Sequence, residues 1–200
     1  MSIFNYADYI LLNYSGSQSN ITPMKIQKLL FYVKAWSIVE GSNLIPETFI
    51  HMKYGPLNQD IYNKYKSFGS SQITKPKIEP VNISNIEFVD FILENYMEFN
   101  AIELSSMTHN EKPWIETKDC QPIDDNKIKN YYKEQPFAKN FPLDIKNNPF
   151  YPLMSDTNHS FVFDMSYQDA SEVLTFDNYL EYKELKTSTK KHLDKKFRIK

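Results

Sequence analysis

Cysteine is almost absent from this chain: Cys120 is the only one in 200 residues. An intrachain disulfide framework and any Cys-cluster zinc or iron–sulfur site are thereby excluded, and the usage fits a reducing compartment. Glycine is scarce as well, with four residues. Neither G-x-x-x-x-G-K-[ST] nor G-x-G-x-x-G occurs, so the phosphate cradles of nucleotide-binding folds are missing. Arg198 is the sole arginine among 23 basic residues. Arginine supplies the bidentate fork that reads guanine edges and phosphates, so sequence-specific DNA reading is disfavoured. No stretch approaches 18 consecutive apolar residues, and the N-terminal segment from Met1 to Tyr6 has no positive region leading into an apolar one. The expectation is a soluble cytoplasmic protein with no membrane partner and no cofactor.

What the chain does have is aromatic mass and polarised charge. Fourteen Tyr and fourteen Phe accompany a net charge of only −2. The stretch from Lys183 to Lys200 carries eight Lys or Arg against Glu184 and Asp194, a local net of +6, which leaves −8 on the residues before it. At 23.7 kDa the chain accommodates one large domain or a domain with an appendage, and it is long enough to bury a core without a metal or a disulfide.

Apolar periodicity predicts a mainly α protein, a compact multi-helix domain of about six to eight helices with at most a few short strands. Ile3, Tyr6, Ala7, Ile10, Leu11 and Tyr14 form one helical stripe. A second helix opens on Thr22 and Pro23 and runs to Glu40 before Gly41; it is apolar on too many sides for a surface helix, which makes it the central one. Residues Thr48 to Met52 read as a short extended stretch leading into Gly55-Pro56. Pro56 is placed to open a helix through Phe68, and Ser84 with Glu87 has the form of a capping box for a helix ending near Phe99. Asn100 caps a short helix through Ser106, and Asp124 or Asp125 caps another with Ile128, Tyr131 and Tyr132 inward. The prolines between Asn140 and Pro152 argue against regular structure there. Ser160 to Met165 reads as a short strand, and a last helix runs from Thr175 to about Leu185, with an extension toward Phe197.

The four histidines, His51, His109, His159 and His192, form no metal-ligand spacing, so no metal site is expected. Cys120 with His109 is an available nucleophile and base, but no glycine turn presents the thiol and no oxyanion donor is recognisable. No catalytic constellation emerges, and the expectation is a protein that is not an enzyme. Two stretches stand out: Lys53-Tyr54-Gly55-Pro56-Leu57, and Thr108-His109 followed by Pro113-Trp114. Each breaks a helix with residues of restricted geometry and sets a large aromatic beside the break. They read either as packing corners or as a partner surface.

Taken in order, these blocks resemble the Panacea domain, also called the SocA-like or GepA-like family of small bacterial and phage-borne antitoxins. The resemblance runs through most of residues 3–143. It includes the Met24-Lys25-Ile26-Gln27-Lys28-Leu29-Leu30-Phe31-Tyr32 helix with Trp36 one turn on. His51-Met52-Lys53-Tyr54-Gly55-Pro56-Leu57 is similar to the family's W-K-Y-G-P-V, with His51 where an aromatic is common. Leu104 through His109, Pro113 and Trp114 resemble L-x-x-L-T-H-x-x-x-P-W.

The resemblance implies a helical domain, residues 1–143, that binds a cognate toxin and holds it inactive without catalysis. In the SocA-like branch it also implies an adaptor that hands the toxin to an ATP-dependent protease. Residues 144–200 have no counterpart and form a C-terminal extension with a basic helical tail. On this reading Lys53, Tyr54, Gly55, Pro56, Thr108, His109, Pro113 and Trp114 surround the partner-binding surface, with Tyr54 and Trp114 as anchors.

The alternative is a nucleic-acid-binding transcriptional regulator that uses Lys190, Lys191, Lys195, Lys196 and Arg198 as phosphate contacts. A chain lacking residues 183–200 separates the two readings. If the tail is the contact arm, the truncated protein loses retention on a DNA column at low salt and keeps toxin neutralisation.

Overall fold

The 18-residue helix Pro23–Glu40 is apolar around nearly its whole circumference, and a helix of that kind is stable only with neighbours on all sides. In the computed structural model, which describes residues 1–16, 20–74, 79–153 and 175–197, every residue from Lys25 to Ile38 of this helix is buried. Eight α-helices are described: α1 Ile3–Tyr14, α2 Pro23–Glu40, α3 Gln59–Tyr65, α4 Ile86–Tyr96, α5 Ala101–His109, α6 Lys112–Ile115, α7 Asp125–Tyr132 and α8 Tyr179–Phe197. The fold class is therefore mainly α, as the periodicity predicts. Among the described residues the only β pairing is isolated bridges, and the extended stretch from Thr48 to Met52 takes part in it through Ile50, which bridges Leu57 and Pro122. The expected strand from Ser160 to Met165 lies outside the described residues.

Packing divides the chain into two compact units, one built on Met1–Glu134 and one that begins at Gln135, whereas the family resemblance covers the chain to about residue 143. In the first unit α2 packs against α1, α3, α4, α5 and α7. Its start is set as the sequence indicates: the Thr22 hydroxyl accepts from the Lys25 N–H, Pro23 occupies the first turn, and Gly41 closes the helix at φ 98°. The aromatic core lies along it. Tyr32 stacks on Tyr96 at 4.0 Å between ring centres, and Tyr132 meets Trp36 edge-on at 5.0 Å. The Trp36 indole N–H donates to the Tyr96 hydroxyl at 2.9 Å, so the buried polar tips satisfy one another.

Several helix starts differ from expectation, each for a local reason. Pro56 does not open α3. Leu57 exchanges both backbone hydrogen bonds with Ile50, at 3.0 and 2.9 Å, which holds it extended, and the helix begins only after Asn58. Ser84 and Glu87 do not form a capping box, because Asn85 adopts a left-handed φ of 54° and α4 starts one residue later than that box requires. The capping box belongs to α5 instead. The Asn100 side chain accepts from the Glu103 N–H at 3.0 Å, and the Glu103 carboxylate accepts from the Asn100 N–H at 2.7 Å. α5 runs through His109 rather than Ser106, so Thr108 and His109 lie in its last turn. Asp124 caps α7, accepting from the Asn126 N–H.

The second unit is organised by its own aromatic residues. Phe150 and Phe176 exchange backbone hydrogen bonds at 2.9 and 3.0 Å, and the Phe150 ring lies 4.9 Å from Tyr179 and 4.6 Å from Tyr182. Its helix α8 starts at Tyr179 and reaches Phe197, so Lys190, Lys191, Lys195 and Lys196 lie along it, while Arg198 lies outside the described residues.

Asn58 joins the extended segment to α3 and α2. Its side-chain oxygen caps α3, its amide donates to the Thr48 carbonyl at 3.0 Å, and its backbone exchanges hydrogen bonds with the Gln27 side chain at 2.8 and 2.9 Å. Asn58→Ala is expected to lower stability by about 2–3 kcal/mol in chemical denaturation, combining a lost cap with an orphaned carbonyl.

Candidate functional site

The turn from Met52 to Asn58 is seated on the α2 and α5–α6 helices through its carbonyl oxygens. The Trp114 indole N–H donates to Met52 O at 3.2 Å, and His109 Nε2 lies 2.9 Å from Lys53 O. The Ser105 hydroxyl donates to Tyr54 O at 3.0 Å and the Lys28 ammonium to Pro56 O at 2.9 Å. Gly55 makes this approach possible. It has φ 91°, and a Cβ there would stand 2.5 Å from the Thr108 hydroxyl and 2.7 Å from Lys28 Nζ. Both the left-handed backbone and the contact exclude a side chain at this point.

The structure thus brings together all eight residues singled out from the sequence, but in different roles. Thr108 and Pro113 are buried, and the Thr108 hydroxyl donates to Ser105 O at 2.8 Å. Trp114 is half-buried, with its ring 4.1 Å from both His51 and His109. His51 Nδ1 in turn lies 3.0 Å from the exposed Asp119 carboxylate. Both ring nitrogens of His109 face carbonyls, those of Ser105 and Lys53, which leaves neither turned toward the exposed Cys120 as a catalytic base. Lys53 and Tyr54 point outward, and Tyr54 is 60% exposed.

Beside the turn lies a cavity of about 520 Å³ between α2, the 52–57 segment and α3. Met24, Gln27 and Lys28 contribute from α2, Lys53 to Leu57 from the turn, and Tyr62 and Lys66 from the α3 side. Tyr62 is 44% exposed. Tyr62 and Lys66 fall in the stretch from Ile61 to Gly69 that follows the turn in the family resemblance but are not among the site residues expected from the sequence; they come to the cavity because α3 begins at Gln59 and packs on α2.

A second feature absent from the sequence reading is a half-buried acid and a buried base under the same turn. Lys28 is 2% exposed. The Glu111 carboxylate accepts from the Tyr132 and Tyr32 hydroxyls at 2.6 and 3.1 Å. Burial pushes the Glu111 carboxyl up to about 8, against the opposing effect of the two tyrosine hydroxyls and of Lys28. Burial likewise pushes the Lys28 ammonium down to about 7, opposed by Glu111. Both shifts reflect the cost of charge away from water, and each partner offsets part of the other's cost. Glu111 falls on an unspecified position of the T-H-x-x-x-P-W pattern, so the motif gives no hint of it. Among the described residues, no group of three His, Cys, Asp or Glu is placed to hold a metal ion, and no helix is long and apolar enough to cross a membrane.

Residues 26–115, just under half of the chain, match the family model described as antitoxin SocA-like, Panacea domain. The matched stretch contains α2 from Ile26 onward, the turn, the cavity lining beyond Met24, α5 and α6. No curated protein matches the chain. No solved structure matches it either.

Glu111 and Lys28 set a pH dependence. Between the ordinary carboxyl value of 4.5 and about 8, native Glu111 holds its proton while the unfolded chain releases it. Stability contributed there falls as pH rises through that window. Lys28 acts in the opposite sense: from about 7 to its ordinary 10.5 the unfolded chain binds more protons than the native one, and stability recovers as pH rises. Glu111→Gln is therefore expected to flatten the loss of unfolding free energy between pH 5 and 7, an effect on the order of 1–3 kcal/mol by denaturation at several pH values.

Proposed function

We propose that the protein is an antitoxin that neutralises a cognate toxin by direct protein–protein binding, without catalysis, and that the surface around the 52–58 turn is where the toxin docks. The family match over residues 26–115 carries this reading, because the matched stretch encloses both the turn and the α5–α6 corner that supports it. The geometry supports a division of labour. Trp114, His109 and Ser105 hold the turn through its carbonyls, with buried Thr108 close against Gly55, while Lys53 and Tyr54 face solvent above it. Large aromatics that are exposed on a rigid support are the residues that dominate binding energy once a partner covers them. The cytoplasm is the compartment proposed for this activity, and delivery of the bound toxin to an ATP-dependent protease is an extension of the same binding.

Co-expression with the product of the neighbouring open reading frame tests the proposal. The neighbour alone is expected to arrest growth, and this protein is expected to restore growth through a complex that co-purifies. A neighbour that is toxic but neither bound nor neutralised removes the proposal's main support. Within such a complex, Tyr54→Ala is expected to weaken binding more than about tenfold, equivalent to about 1.4 kcal/mol, with little change in melting temperature. Trp114→Ala is expected to lower the melting temperature, since it removes the indole bond to Met52 O and the ring between His51 and His109.

A further inference from the structure

The cavity beside the turn has a one-sided chemistry. Lys28, Lys53 and Lys66 line it and no Asp or Glu does, although the residues before 183 sum to −8. Lys53 and Lys66 are exposed and each lies over an exposed tyrosine: Lys53 Nζ is 5.4 Å from the Tyr54 ring centre and Lys66 Nζ 5.7 Å from that of Tyr62. Met24, Met52 and Leu57 supply apolar wall between these groups. At the floor, Lys28 Nζ donates to Pro56 O at 2.9 Å, so the charge that faces solvent in the cavity is that of Lys53 and Lys66.

We propose that this groove receives an extended acidic segment of the partner protein, in which Asp or Glu side chains flank an aliphatic or aromatic residue. The partner's identity as a toxin rests on the antitoxin reading; the chemistry of the segment rests on the groove. Carboxylates meet Lys53 and Lys66, and the apolar side chain between them enters the space bounded by the tyrosine rings and the methionines. The volume of about 520 Å³ suits a few side chains rather than a whole folded element. A small free anion is a poorer match, because the exposed ammonium groups sit on long side chains over aromatic rings and apolar surface borders them. A long polyanion is repelled by the acidic remainder of the body, whereas a short acidic segment engages the lysines locally.

The test is selection of a displayed library of random peptides of about twelve residues on the full chain, counter-selected on Lys53→Glu/Lys66→Glu. Both substituted side chains are exposed, and an unchanged melting temperature verifies the fold of the variant. The expected result is enrichment of peptides with Asp or Glu beside Leu, Ile, Phe or Tyr. Their affinity should fall about tenfold or more in the double variant and weaken with added salt.

Peptides that bind the variant equally, enrichment of neutral or basic peptides, or no enrichment at all would overturn the proposal. So would displacement by citrate as effective as by free peptide, which marks a small-anion site. Toxin co-expression with the same variant separates this inference from the reading beneath it. Neutralisation that survives charge reversal sinks the groove assignment and leaves the antitoxin function standing. Lysine-dependent peptide binding without any neutralisation does the reverse.

Discussion

A helix buried on every side must find partners for whatever polar groups it carries, and in α2 those partners are mostly the backbone of the surrounding connections. Lys25 donates to Met97 O at 2.7 Å, Lys28 to Pro56 O at 2.9 Å and Lys34 to Ile45 O at 2.9 Å, while the Gln27 amide pairs with both backbone groups of Asn58. An unmet ammonium or amide in such surroundings would cost several kcal/mol, on the order of the whole stability of a domain. The need to satisfy these four side chains therefore fixes where the chain must pass after α2 and after α4. Lys34, 0% exposed, also reaches Asp125 at 3.0 Å, which ties the first turn of α7 to the same helix.

The candidate site follows from that requirement. The segment that answers Lys28 and Gln27 is the one that carries Lys53 to Leu57, and it can come close enough only because Gly55 has no side chain. Beneath it, the same economy of charge brings Lys28 and Glu111 into one electrostatic neighbourhood, with three buried tyrosines whose hydroxyls are pushed well toward the neutral form by burial. The matched family segment ends at Ile115 and so holds Lys28, Tyr32, Tyr96 and Glu111, while Tyr132 joins this neighbourhood from α7 beyond it. The matched segment thus contains most of the residues that hold the turn from below. The outward-facing side chains at 53 and 54 and the lysine–tyrosine pair at 62 and 66 complete the docking face we propose.

Helix existence was legible in the sequence because periodicity reports burial, and burial is what selects a helix face. The stripe of α1 and the all-round apolar character of α2 lead directly to Ile3, Tyr6 and Ile10 and to the run from Lys25 to Ile38. Helix starts were less legible. A Ser-x-x-Glu string is only an offer of a cap, and at Ser84 the left-handed Asn85 shifts the start so that the offer lapses. Asn100 and Glu103, with the same spacing, were read as a plain cap and form the full box.

The site was legible as a set of residues and not as an arrangement. The motif blocks name both the turn and the corner, but which of their aromatics faces in is decided by contacts among residues far apart in the chain, such as Trp114 with Met52 O. Glu111 falls on an unspecified motif position, and nothing in the local pattern sets Tyr62 and Lys66 apart as cavity residues; their place depends on where the helices end up.

The way the turn is held has a consequence for how the docking face we propose could change its partner. Its anchorage runs through the main-chain oxygens of Met52, Lys53, Tyr54 and Pro56, atoms that every amino acid possesses. Replacing the side chains at 53 and 54 leaves that anchorage in place. A lineage, or an engineer, can accordingly rewrite the exposed letters of the turn while the scaffold under it stays the same, so that new recognition arises by recolouring a fixed surface instead of refolding one.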